Sequence, residues 1–394
     1  MLSRLAENIK LSPTLSISSK AKELKSQGKD VIGLGAGEPD FDTPTFIKKA
    51  AINALNKGDT KYTPASGKKE LKQAVIKKFK QDNNLDYSTN QVIINCGAKH
   101  SLFNVIMCLA DKGDEVIIPA PYWVSYPEMV KASGAEPVIV KCTKENNFKL
   151  TPKLIRENIT EKTKLIIINS PSNPTGIVYT GDELAEIGKE LLNHDIYIIS
   201  DEIYEHLIYE GEFSSIAQIS EKIKEKTIVV NGVSKAYSMT GWRIGYAAGD
   251  NNIISACAKL QSHSTSNPTS FSQAGAVEAI TKQEGKTFIN KMLKEFKKRR
   301  DFVYNELSSI TGIQVNKPKG AFYIFPCIKE ILNKEIDSSQ KFASGLLENE
   351  LTAVVPGEGF GAPGYIRISY ATSMDNLKKG ITRIKKFTQS IKPS

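Results

Sequence analysis

The chain has 394 residues, 40% hydrophobic and 24% charged, with a formal net charge of +10. That length exceeds what one hydrophobic core serves, so two domains are expected in an ordinary soluble, globular composition. The longest apolar runs, such as LIIIN at 165–169, fall far short of the roughly 20 residues a bilayer span needs, so no membrane protein is indicated.

The amino terminus, MLSRLAENIKLSPTLSISSK, lacks the continuous apolar stretch of a secretory signal. Glu7 and its short length argue against a transit peptide, so it reads as mature sequence. Next comes the glycine-rich GLGAGE at 33–38. It spells G-x-G-x-G, and Glu38-Pro39 stands where a dinucleotide-binding loop would have to open a helix, which argues against a dehydrogenase.

From residue 91 the chain alternates short β-branched runs with longer amphipathic ones. QVIINCG at 91, EVIIPAP at 115, PVIVK at 137, KLIIINSP at 164, IYIISDE at 196, TIVVNG at 227 and WRIGYAAG at 242 are predicted strands. Several are uniformly apolar, as strands buried on both faces are. An α/β fold with a largely parallel sheet follows. Beyond about 286 an amphipathic helix over 288–307 is followed by GAFYIFP at 320 and YIRISYA at 365, which suggests a smaller α+β unit. The expected division is an amino-terminal arm and part of the small domain at 1–45, a large domain at 46–285 and a small carboxyl-terminal domain at 286–394.

The densest basic run, KEFKKRR at 294–300, could signal nucleic acid. Within its helix, however, Phe288, Met292, Leu293, Phe296, Val303 and Leu307 recur at helical spacing, which assigns the lysines and arginines to a solvated opposite face. No nucleic-acid partner is expected. Five scattered cysteines, odd in number and without C-x-x-C spacing, suit reduced thiols in a cytoplasmic protein. The four histidines show no metal-ligand spacing, and no metal is expected.

Ligands of open α/β sheets bind beyond the carboxyl ends of the strands. Here those ends carry GAKHSLFNVI, APYWVSY, NSPSNPTG, SDEIYE and NGVSKAYSMTGWR. Taken singly, Trp123 could be core packing and Asp201 a helix cap; recurrence at five strand ends is what those readings leave unexplained. Lys235, placed just beyond a buried strand, can lose its proton through desolvation and nearby positive charge and so become a nucleophile toward an aldehyde. Small Gly232 and Ser234 let a phosphate approach, Ser234 offers a hydroxyl, and Arg243 offers a planar fork. An aldehyde and a phosphate on one molecule describe pyridoxal 5'-phosphate. Its ring nitrogen needs a carboxylate, for which Asp201 is the candidate. Asn173 and Tyr204 could bond the ring oxygen, and Trp123 could stack on the ring.

LGAGEPDFDTP, KYTPASGKKELK, APYWVSYPEM, NSPSNPTG, SDEIYE, SKAYSMTGWRIGY and AVVPGEGFGAPGYIRISYATS occur in this order over nearly the whole chain. In them the sequence resembles the class I aminotransferases of pyridoxal-phosphate fold type I, most closely the bacterial aspartate and aspartate/prephenate aminotransferases. The resemblance implies an α/β large domain with a mostly parallel seven-stranded sheet, and a homodimer with shared active sites. It gives Lys235 the cofactor and the α-proton, Asp201 the pyridinium, Asn173 and Tyr204 the ring oxygen, and Trp123 the ring face. Gly97, Ala98, Ser234 and Arg243 would hold the phosphate, with Tyr62 reaching it from the second subunit. Arg367, Asn173 and Gly37 would bind the substrate α-carboxylate. The implied reaction passes an amino group from an amino acid to a 2-oxo acid, with aspartate, glutamate, 2-oxoglutarate, oxaloacetate and prephenate as implied substrates.

One departure bears on specificity. The second arginine that animal-type relatives supply for a distal carboxylate corresponds here to Ser262. The bacterial subgroup's counterpart is Lys99, with Ser12 and Thr14 supplying hydroxyls. Another amino-acid aminotransferase, or a carbon–sulfur lyase or cyclopropane-forming synthase of the same fold, would share Lys235 and Asp201.

Overall fold

The structure is a computed structural model that describes residues 2, 3, 7, 9 and 13–391, apart from the side chains of residues 13–16 and 18. Strand β1 (Ile32–Gly33) precedes seven strands that form one sheet: β2 (Val92–Asn95), β3 (Glu115–Ala120), β4 (Glu136–Lys141), β5 (Thr163–Asn169), β6 (Tyr197–Asp201), β7 (Thr227–Gly232) and β8 (Gly245–Ala248). Their order across the sheet is β2-β8-β7-β6-β5-β3-β4. All run parallel except β8, which is antiparallel to both of its neighbours.

The apolar runs explain the burial. Leu165, Ile166, Ile167 and Ile168 on β5 are at most 3% exposed, and side chains of both parities are covered because helices lie on both faces. Each such side chain contributes about 1.5–3 kcal/mol of hydrophobic stabilisation. The predicted strand at 242 starts three residues later, at Gly245. Residues 240–242 form a 3₁₀ turn and Arg243 takes φ +55°, because the chain reverses there before entering the sheet against the direction of β7.

A second assembly is built from β9 (Tyr323–Ile324), β10 (Thr352–Ala353), β11 (Val355–Pro356) and β12 (Ile366–Ser369). The antiparallel order is β11-β12-β9, while β1 pairs with β10 in parallel. The amino-terminal segment is thereby stitched to the last quarter of the chain. Ile32 and Leu34 share a buried cluster with Phe322, Ile324, Phe342 and Ile368.

The long helix Gln283–Ser308 carries the expected apolar stripe, with Met292, Phe296, Val303 and Leu307 wholly buried. Its two arginines lie on the buried face and not on the solvated one that their charge predicts. Arg299 and Arg300 follow Phe296 by three and four positions, so helical periodicity turns them inward with it, at 6% and 0% exposure. Both are paired: Arg299 with Asp40 at 2.7 Å and Arg300 with Glu210 at 2.9 Å. Lys294, Lys297 and Lys298 are exposed. Among the described residues no helix is long and apolar enough to cross a membrane.

Candidate active site

The register of the central strands sets out the site. Asn169 at the end of β5 pairs with Asp201 at the end of β6, and Gly232 at the end of β7 pairs with Gly245 at the start of β8. Since β8 is reversed, its first residue lies on the same edge as the last residues of its neighbours, which brings Arg243 to the carboxyl ends of the parallel strands. Gly245 is obligatory there: a Cβ would sit 2.1 Å from the backbone nitrogen of Ala98.

Lys235 is half-buried beyond β7, and its Nζ donates to the carbonyl oxygen of Gly37 at 2.5 Å. Burial lowers its ammonium from the ordinary 10.5 to about 8; Glu38 opposes the shift, and Arg367 and Arg243 add to it. A neutral amine is therefore within reach near neutrality. Asp201 is 4% exposed. Its Oδ2 accepts from the Tyr126 hydroxyl at 2.6 Å and its Oδ1 from the Ile203 amide at 3.3 Å. Burial raises this carboxyl to about 6, against the lowering effect of the Tyr126 bond.

The second assembly supplies Arg367 from β12, 2% exposed. Its Nη1 donates to Asn173 Oδ1 at 3.0 Å and its Nη2 to the Gly35 carbonyl at 2.7 Å, while Nε has no hydrogen-bond partner among the described residues. The guanidinium carbon stands 4.5 Å from the ring centre of Tyr323 and 5.2 Å from that of Phe360. The Asn173 amide in turn donates to Asn169 Oδ1 at 2.9 Å. Tyr204 is buried, its hydroxyl 2.8 Å from that of Tyr323.

Gly97 (φ +89°) caps the helix Ala98–Leu109. A Cβ there would meet Arg243 Nη2 at 2.5 Å, so only glycine lets the guanidinium lie against the helix amino terminus. Arg243 is exposed; it donates to the Thr240 carbonyl at 2.7 Å and the Cys96 carbonyl at 3.3 Å, and no carboxylate pairs with it among the described residues. Ser234 is 7% exposed. Trp123 is half-buried and meets Tyr126 edge-on, with Lys99 Nζ 4.8 Å from its ring centre.

The structure thus joins Lys235, Asp201, Asn173, Tyr204, Arg367 and Gly37 through direct contacts or a single shared neighbour. Gly97 and Ala98 open a helix amino terminus against which Arg243 lies, an arrangement suited to an anion. The chemistry of this set, an amine of lowered basicity, a buried carboxylate and a cationic corner, could hold an aldehyde-bearing phosphate cofactor. Tyr62 makes none of these contacts within the chain and is 89% exposed. Ser262 lies on the helix Asn251–Ser264 and donates to its own Lys259 carbonyl. Ser12 lies outside the described residues, and so does the side chain of Thr14. Sequence reasoning missed Tyr126, Tyr323 and Phe360, whose partners are distant in the chain.

The lowered ammonium of Lys235 has a measurable consequence. An added aldehyde such as pyridoxal phosphate reacts only with a neutral amine, so the initial rate of imine formation at Lys235, followed by absorbance, is expected to rise with pH and reach half-maximum near 8. A midpoint above 10, as for exposed lysines, would contradict the burial argument.

The family model for aminotransferase class I and II matches residues 29–384. An aspartate aminotransferase of Bacillus sp. (strain YM-2) is 53% identical over 391 residues, covering 99% of each chain. A probable aspartate/prephenate aminotransferase of Aquifex aeolicus is 48% identical, also with 99% of each covered. Among solved structures, an aspartate aminotransferase of Thermus thermophilus with maleate superposes with a TM-score of 0.94 at 42% identity, covering 98% of this chain and 99% of that one. The fold and these likenesses agree: the chain belongs to the class I and II aminotransferases, enzymes that transfer amino groups.

Proposed function

We propose that the protein is an aspartate aminotransferase that passes the amino group of aspartate to 2-oxoglutarate, with prephenate as a further acceptor, and uses pyridoxal phosphate to do so. The observation that carries this reading is Arg367. A guanidinium 2% exposed, with no carboxylate beside it among the described residues, is costly to keep unless an anion reaches it. Its planar fork suits the α-carboxylate of an amino acid, and the bonds to Asn173 and Gly35 fix its direction.

When bound, pyridoxal phosphate supplies an aldehyde to accept the amino group and a cationic ring to draw electrons from the substrate. Lys235 would hold the cofactor, and its amine would take the proton from the substrate α-carbon. Asp201 keeps a proton on the ring nitrogen, Tyr126 holds that carboxylate in place, and Asn173 and Tyr204 serve the ring oxygen. Trp123 covers the ring face. Gly97, Ala98, Ser234 and Arg243 hold the phosphate, and Tyr62 of a second copy completes that cradle. Its exposure in the single chain supports a homodimer with shared sites.

The same reading divides the chain into an arm at 1–45, a large domain at 46–285 and a small domain at 286–394. Support comes from the confinement of the seven-stranded sheet to residues 92–248 and from the β1–β10 pairing. A cytoplasmic location suits the free thiols. The deciding experiment follows oxo-acid formation from aspartate with and without 2-oxoglutarate. Sustained turnover only with the acceptor supports transamination; sustained release without it would assign a lyase instead.

Selection of dicarboxylates is assigned to Lys99, with Ser12 and Thr14 as the accompanying hydroxyl residues, because Ser262 offers no cation. Maleate, the ligand named with the Thermus thermophilus structure, is itself a dicarboxylate. Burial and the neighbouring Arg243 lower the Lys99 ammonium from its ordinary value. Lys99→Ala is expected to lower kcat/KM for aspartate by about 10- to 100-fold, the worth of one charge-assisted hydrogen bond. Phenylalanine should be affected much less. Equal losses for both substrates would instead make Lys99 a support of the phosphate corner.

A further inference from the structure

Tyr323 touches both halves of the site, and none of the roles assigned above falls to it. It lies on β9 opposite Ser369 of β12 in the antiparallel pair, so Arg367, two residues before Ser369, shares its face of the sheet as a diagonal neighbour. That register accounts for the guanidinium carbon of Arg367 standing 4.5 Å from the Tyr323 ring centre. The ring is wholly buried. At its far end the hydroxyl lies 2.8 Å from the Tyr204 hydroxyl, its one hydrogen-bond partner among the described residues. It also packs against Gly37, where an added Cβ would stand 3.5 Å from it. One side chain thus meets the arginine assigned to the substrate carboxylate, the phenol assigned to the ring oxygen, and the residue whose carbonyl accepts from Lys235.

The protons of the two phenols can be counted. Each hydroxyl carries one proton and can also accept, and either can be the donor in the bond between them. The pair uses one proton internally, which leaves the other for an oxygen outside it. If Tyr204 turns its proton toward the ring oxygen, the Tyr323 hydroxyl is the group placed to donate to Tyr204 in turn. Bonds joined in such a chain polarise and strengthen one another, most of all in a buried setting.

We propose that Tyr323 is a positioning residue for amino transfer. Its hydroxyl donates to Tyr204 and so aims the Tyr204 proton at the cofactor's ring oxygen, while its ring face holds Arg367 where the substrate carboxylate docks. The first half rests on the reading of Tyr204 as a donor to that oxygen. A donor there stabilises the oxygen's negative charge, which is fully uncovered once the neighbouring lysine-linked nitrogen loses its proton. The relay from Tyr323 therefore lowers the pH at which that nitrogen is deprotonated.

The test is a pH titration of the visible band of cofactor-loaded protein, with Tyr204→Phe, Tyr323→Phe and Tyr370→Phe beside the wild-type chain. Tyr204→Phe removes the donor itself and should raise the midpoint most. Tyr323→Phe should raise it in the same direction by a smaller amount, a few tenths of a pH unit, because the remaining bond is only weakened. Tyr370→Phe removes another buried hydroxyl from the same cluster, one that donates to the Ala321 carbonyl, and should leave the midpoint in place. Tyr323→Phe keeps the ring and hence the KM for aspartate; Tyr323→Leu should raise that KM several-fold, since the face under Arg367 is lost. A midpoint in Tyr323→Phe equal to that of the wild type, or an equal shift in Tyr370→Phe, would overturn the relay. An unchanged KM in Tyr323→Leu would overturn the hold on Arg367. A midpoint unmoved by Tyr204→Phe would instead refute the placing of Tyr204 at the ring oxygen, and the relay with it.

Discussion

Replacing Lys235 by alanine is expected to lower kcat for transamination by roughly 10⁴-fold or more, since in the proposed mechanism one change removes both the covalent anchor and the general base. The fold should persist. Lys235 is half-buried and its hydrogen bond runs to the Gly37 carbonyl, so the substitution breaks no close ion pair. Three measurements separate loss of chemistry from loss of structure: steady-state turnover, the visible band of lysine-linked cofactor, and the thermal transition. The band and turnover should vanish while the transition moves little. A variant that kept both band and turnover would remove Lys235 from the reaction.

Lys235 and Asp201 were legible in the sequence for a physical reason. Uniformly apolar runs announce strands covered on both faces, and polar residues immediately after such runs stand at the sheet edge where ligands bind. Arg367 carries no such local signal, because an arginine in YIRISYA looks the same whether it faces solvent or a site. Only resemblance singled it out. Its environment depends on the β11-β12-β9 register and on Tyr323 and Phe360, none of which a short window of sequence encodes.

Two other features stayed hidden for related reasons. The reversal of β8 is a property of the turn at residues 240–243, whose left-handed Arg243 breaks no pattern that periodicity can detect. Burial of Arg299 and Arg300 is obscured in the sequence because charge ordinarily marks exposure, although their positions belong to the apolar stripe. Pairing with Asp40 and Glu210, distant in the chain, makes that burial tolerable. In the same way Tyr126 reaches Asp201 across 75 residues, so the group that orients the carboxylate could not be read beside it.

That carboxylate is the subject of the second large effect. Asp201→Asn is expected to slow α-proton removal by roughly 10³-fold, because an amide cannot hold the ring nitrogen's proton by charge. The shape is kept: Asn Oδ1 can still accept from Tyr126. Stability should respond in the opposite direction before the cofactor is added. In the folded protein burial raises the Asp201 carboxyl from 3.8 to about 6, so the acid form is favoured by folding. This contribution is fully present below 3.8 and is lost as pH rises through 6. The loss amounts to about 3 kcal/mol at 1.36 kcal/mol per pKa unit. Asparagine carries no charge and escapes it. Between pH 4 and 7 the cofactor-free variant should therefore gain stability relative to the wild-type chain, as read by denaturant midpoints at each pH. Adding pyridoxal phosphate should reverse the ranking, because a cation beside the buried carboxylate favours its ionised form. Identical pH profiles for the two cofactor-free proteins would show that Asp201 is not strained by burial. An unchanged ranking after cofactor addition would show that it does not face the ring nitrogen.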